Sequence, residues 1–120
     1  PDMRSLEIEQ AALRGFLDFA AEHKEVYRII DEAEFVDPAS YRAHYETIAA
    51  RIVERLRSGA EVSEIRADAG EVEAWAIMGM NVFLGLRYAI WRAEGDPLTL
   101  DVAARANMLL AKGITTDRPE

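Results

Sequence analysis

The sequence predicts an all-α domain, a bundle of five helices, and three observations carry that prediction. Apolar residues recur at spacings of three and four along the 120-residue chain, the period of a helix face and not the alternation of a strand. Helix punctuation falls at intervals: Asp37-Pro38, Gly59, Asp68 and the triplet Gly95-Asp96-Pro97. A composition that is 50% apolar, with seven glycines and four prolines, fits one domain with a buriable core and no second domain.

Each element has its own warrant. From about Met3 to Glu22, Leu6, Leu13, Leu17 and Ala20 follow helical spacing, with Ile8, Ala12 and Phe19 in a second stripe, so this helix is expected to be buried on more than one side. A shorter helix, Lys24 to Glu34, carries Val26, Tyr27, Ile29, Ile30 and Ala33. Asp37 can accept hydrogen bonds from first-turn amides and Pro38 loses none at the first helical position, which starts a third helix. Its apolar face is Tyr41, Tyr45, Ile48, Ile52 and Leu56; Arg42, Glu46, Arg51, Glu54 and Arg55 are expected outward, with Gly59 as a left-handed stop. Ala60 to Ala67 reads as a loop. Asp68 and Glu71 resemble a capping box opening a fourth helix that runs to about Glu94. After the Gly95-Asp96-Pro97 break, Leu98, Val102, Ala106, Leu109 and Leu110 lead a fifth helix to Gly113. The domain is thus expected over residues 1–114, with a frayed tail from 115 to 120.

The fourth helix predicts a partner. Trp75, Gly79, Val82, Leu86 and Ala89 lie on one side, and Ile77, Met80, Leu84, Tyr88 and Trp91 on the other. A helix apolar all round must be enclosed, and a chain this small has too few other helices to cover both sides. A second copy is the economical cover, a symmetric homodimer. The competing arrangement is a central helix wholly buried within one chain.

Composition excludes several function classes. There is no cysteine, so disulfide frameworks and thiolate metal sites are out, in keeping with a reducing cytoplasm. Fourteen basic residues, all but Lys24 and Lys112 arginine, face 22 acidic ones for a net charge of −8, which repels a phosphate backbone. The longest apolar run, Ala74 to Trp91, is interrupted by Asn81 and Arg87, and no basic-then-apolar leader opens the chain; neither a membrane span nor a signal peptide is predicted. His23 and His44 lack a glutamate three residues before them, and no phosphate loop or nucleophile elbow occurs. The chain therefore reads as a non-enzyme without cofactor or metal.

The ordered set His23-Lys-Glu-Val-Tyr27-Arg-Ile-Ile30, Glu32-Ala-Glu-Phe-Val-Asp37-Pro38, Tyr41 and Tyr45, Glu64-Ile-Arg-Ala-Asp68, Trp75-Ala-Ile-Met-Gly79 and Phe83-Leu-Gly85-Leu-Arg87-Tyr-Ala-Ile-Trp91 resembles the C-terminal region of TetR/AcrR-family transcriptional regulators. The resemblance runs from about Leu6 to Gly113. It implies a helix-turn-helix domain before Pro1, a position without an initiator methionine that suits a piece of a longer protein. It also implies a dimer through the last two long helices and an effector pocket among the first four. Operator DNA would be bound only through that preceding domain, and effector binding would release it.

Candidate pocket residues are Phe16, Tyr27, Ile30, Tyr41, His44, Tyr45, Ile48, Trp75, Met78 and Val82, an apolar and aromatic set with a few groups able to orient a ligand. Each also fits ordinary core packing. Arg87, a guanidinium in an apolar helix, needs a ligand anion or an acidic neighbour. Ile77, Asn81, Leu84, Tyr88, Trp91, Val102, Arg105 and Leu109 are the candidate dimer contacts. The resemblance further suggests an effector such as an acyl-CoA or a related acid. The alternative from another class is a stand-alone helical interaction module with no effector, its fourth helix serving a protein partner.

Overall fold

The structure, a computed structural model, describes residues 4–113. Among these the chain forms five α-helices and no strand: α1 Ser5–Glu22, α2 Lys24–Val36, α3 Pro38–Glu61, α4 Glu71–Gly85 and α5 Thr99–Ala111, with a π-helical segment, Leu86–Ile90, continuing α4. None of these helices is long and apolar enough to cross a membrane. The expected helix start at Met3, residue 114 and the expected tail Thr115–Glu120 lie outside the described residues.

Two apolar clusters hold the helices. Ala49, Ile52 and Leu56 of α3 meet Ala74, Ile77 and Met78 of α4, closed by Ile65 and Ala69 of the connecting loop. Leu13, Leu17 and Ala20 of α1 meet Val102, Ala103 and Ala106 of α5 and Ala89 of the π segment. Each fully buried Leu or Ile removes enough apolar surface from water to contribute about 1.5–3 kcal/mol. Polar links fix the α1–α5 pairing: the Thr99 hydroxyl donates to Asp18 at 2.6 Å and the Asn107 amide to Gln10 at 3.0 Å. Since the higher-numbered partner pairs with the lower, the two helices run antiparallel.

Several sequence expectations are corrected by this packing. Only one stripe of α1 is enclosed; Ile8 and Phe19 of the second stripe are exposed. Gly59 does not stop α3 by a left-handed turn. It is buried inside the helix, where an added Cβ would collide with Ser5 and Ile65, so its role is close approach. The left-handed residue is Ser63, at φ 63°, after which Glu64 N–H returns to the Gly59 carbonyl at 2.9 Å. The N-terminus of α4 is capped two residues later than the Asp68–Glu71 pair predicts, because Gly70 N–H donates to the Glu73 carboxylate at 2.8 Å. Arg66 draws Asp68 and Glu73 to itself at 3.6 and 3.4 Å, leaving Asp68 outside the cap.

The fourth helix also ends earlier than Glu94. Its hydrogen bonding widens to the π pattern, with Trp91 N–H donating to the Leu86 carbonyl at 2.8 Å, and the chain then turns at Gly95, φ 93°. Asp96 organises that turn: it accepts from Ala93 N–H at 2.8 Å and from both terminal nitrogens of Arg87 at 3.0 and 3.2 Å. Trp91 therefore stands beyond the helix and is exposed.

Candidate functional site

Four helices enclose a cavity of about 220 Å³. On α3, His44, Ile48, Arg51 and Arg55 follow the four-, three- and four-residue steps of one helical face, with Tyr45 and Ile52 beside them. These six meet Met78, Asn81 and Val82 of α4, Ala12 and Phe16 of α1, and Tyr27 and Ile30 of α2. Phe16 reaches the cavity by lying on the backbone of Gly85, so closely that a Cβ there would sit 2.6 Å from its Cε2. The lining is mainly apolar with a few polar groups, the usual make-up of a small-molecule site.

The phenols at the α2 end stay protonated. Burial pushes Tyr45 up to about 12, reinforced by Tyr41, Tyr27 and Asp31. Tyr27 is raised by burial first and then by Asp31 and Tyr41, and Tyr41 by burial and then Glu34 and Asp31. At neutral pH these hydroxyls act as uncharged donors and acceptors. Tyr45 also meets Tyr41 and His44 edge-on, with ring centres 5.1 and 4.9 Å apart. The Tyr27 hydroxyl lies 3.5 Å from the Val82 carbonyl oxygen, the outer limit of a hydrogen bond.

At the other end the wall is cationic. Arg55 turns toward α1 and grips the buried Glu9 carboxylate, Nε at 2.6 Å and an amino group at 3.1 Å. Sequence reading expects Arg55 outward; the structure turns it inward because Glu9, 4% exposed, needs a partner. Arg51 and Ala12 line the cavity and are also exposed, so both stand at its edge, and Arg51 borders an outer cleft as well.

Of the eleven expected ligand residues, Phe16, Tyr27, Ile30, His44, Tyr45, Ile48, Met78 and Val82 come together here. Tyr41 stands behind Tyr45, Trp75 is 40% exposed one turn before Met78 on α4, and Arg87 pairs with Asp96 and lies over the Tyr88 ring. These three lie outside the cavity. Sequence reasoning misses Ala12, Arg51, Ile52 and Arg55 as lining residues and puts Asn81 on a different surface. Ala12 stands one turn before Phe16 and Ile52 one turn after Ile48, a spacing that could have found both; nothing in the sequence separates Arg55 from a solvated arginine.

The expected dimer contacts divide similarly. Ile77, 3% exposed, is a core residue of its own chain, packed with Ile52 and Ala74, so it cannot meet a partner. Asn81 lines the cavity instead. Leu84, Tyr88, Val102, Arg105 and Leu109 line an open groove between α4 and α5, with Met80 and Pro97. The outward face of α4 is in fact Val72, Ala76, Gly79 and Phe83, and Leu109 with Met108 stands exposed on α5.

The described residues hold no group of three or more His, Cys, Asp or Glu arranged to bind a metal. Fold and site together define an all-α protein with a small amphipathic cavity among its first four helices. No family model and no curated protein matches the chain.

Proposed function

We propose that this chain is the effector-sensing and dimerisation domain of a TetR-type transcriptional repressor, taking a small, mostly apolar ligand into the cavity among α1, α2, α3 and α4. In such a regulator a separate helix-turn-helix head reads DNA, and ligand binding shifts the population of arrangements in which two heads fit their sites. The observation that carries the reading is the double use of α4. Met78, Asn81 and Val82 wall the cavity, while the opposite face presents Val72 and Phe83, exposed at 79% and 69%. One rigid element thus joins a ligand site to an uncovered apolar face, and a second copy across α4 and α5 would cover it.

Sedimentation equilibrium tests the pairing: the protein should be a dimer at micromolar concentration, burying more than about 1,000 Å² in total, and Phe83→Asp should give monomers. A wild-type monomer at those concentrations overturns the dimer. Sensing is tested by ligand-induced stabilisation, which follows mass action. Val82→Trp, filling the cavity from α4, should abolish the stabilisation while leaving the dimer intact.

A further inference from the structure

We infer that the cavity's ligand is a monoanionic amphiphile, a short apolar body carrying a single carboxylate, whose head is bound at the mouth by Arg51. This ligand class rests on the sensing cavity proposed above. The lining holds two guanidiniums and no carboxylate. Arg55 is already neutralised, its fork closed on Glu9. Arg51, one turn earlier on the same face of α3, has no carboxylate within ion-pair distance among the described residues. The cavity lining therefore carries one guanidinium that no carboxylate pairs directly, although Glu54 and Glu71 border an outer cleft that Arg51 also lines, in a molecule whose net charge is −8.

That charge discriminates among head groups. A carboxylate at the mouth gains charge-assisted, bidentate hydrogen bonds from the planar guanidinium. A neutral head gains no such bond, and an ammonium meets like charge. Because Arg51 is exposed, water screens the gain, and a preference of about five- to tenfold over the neutral analogue is expected rather than the larger factors of a buried pair. The interior sets the size of the body. The cavity is small, about 220 Å³. Phe16, Ile30, Ile48, Met78 and Val82 make that interior apolar, so a short alkyl chain with its carboxylate outside suits it.

Isothermal titration of the intact protein with sodium octanoate, 1-octanol and octylammonium chloride, all below their aggregation limits, tests the assignment. Octanoate should bind about five- to tenfold tighter than octanol, and octylammonium weakest. Arg51→Gln should bring octanoate down to the octanol level without changing octanol, and Arg51→Lys should restore part of the preference. Equal binding of octanoate and octanol to the wild type, or a preference that survives Arg51→Gln, overturns the head-group assignment and leaves the apolar cavity standing. If none of the three probes binds, this inference fails, while the sensing reading is judged by the Val82→Trp comparison above.

Discussion

The Glu9–Arg55 pair predicts an asymmetric response to mutation. Glu9 is 4% exposed and its oxygens accept from Arg55 at 2.6 and 3.1 Å; the arginine side chain retains 31% exposure. Arg55→Met leaves a carboxylate inside the α1–α3 contact with no cation. Orphaning one member of a buried pair costs about 3–5 kcal/mol, and the partial exposure on the arginine side admits water, which reduces the figure to about 2–3 kcal/mol. Glu9→Leu leaves a guanidinium that can swing its head to solvent along its own stem and adds an apolar side chain to the contact, for a net cost of about 0–1 kcal/mol. The double variant should resemble Glu9→Leu, giving a coupling energy of about 2 kcal/mol in a double-mutant cycle. Urea denaturation at one fixed protein concentration measures all four proteins, and with a slope of about 1–3 kcal/mol per molar the Arg55→Met midpoint should fall by about one molar or more. Were Glu9→Leu to cost as much as Arg55→Met, the carboxylate would not be the member that depends on its partner, and the burial argument would be wrong.

Two further substitutions follow from the geometry. Gly85→Ala puts a methyl 2.6 Å from the Phe16 ring; the ring must tilt, at a cost of about 1–2 kcal/mol, and octanoate binding should weaken with helical circular dichroism unchanged, whereas unaltered stability and binding would remove Phe16 from the cavity wall. Asp96 is held below the usual carboxylate range by the Arg87 hydrogen bonds first and the Ala93 N–H second. A group lowered in the folded state adds stability above its unfolded value of about 3.9, and that stability is lost as pH falls through the folded value. Asp96→Asn should thus be less stable than wild type at pH 7, the gap closing under acid; a gap of constant size down to pH 3 contradicts the assignment.

The helices were legible because their signals are local. Asp37-Pro38 starts α3 as read, and the Asp37 carboxylate accepts from Ser40 N–H at 3.3 Å and from its hydroxyl at 2.7 Å. The ends that were misread depend on distant residues. Gly59 looks like a stop until Ser5 and Ile65 are brought against it, and the cap of α4 falls at Gly70, whose N–H the Glu73 carboxylate accepts while Arg66 holds that carboxylate from the loop. Most of the cavity's apolar wall was legible for the same reason, since Tyr45 and Ile48 on α3 and Met78 and Val82 on α4 share faces by spacing alone. Its charged rim was not. Arg51, Arg55 and Glu9 belong to types that most often face solvent, and only the approach of α1 to α3 separates the paired arginine from the free one.

The register of α4 shows how a correct pattern can still misplace residues. A helix apolar on every side gives periodicity no preferred direction, so Ile77 and Phe83 are indistinguishable in sequence; what separates them is that α3 covers the first and leaves the second open. The same packing sets cavity and outer face close together along α4. Val82 and Asn81 touch the cavity, Phe83 is the next residue outward, and the α-to-π change begins three residues later at Leu86. A widened turn is a place where a helix can shift its hydrogen bonding without unfolding. Leu86 N–H donates to both the Phe83 and Val82 carbonyls, a shared bond common at helix ends. The α-to-π change thus lies between the cavity residue Val82 and the groove residue Tyr88 on one continuous element.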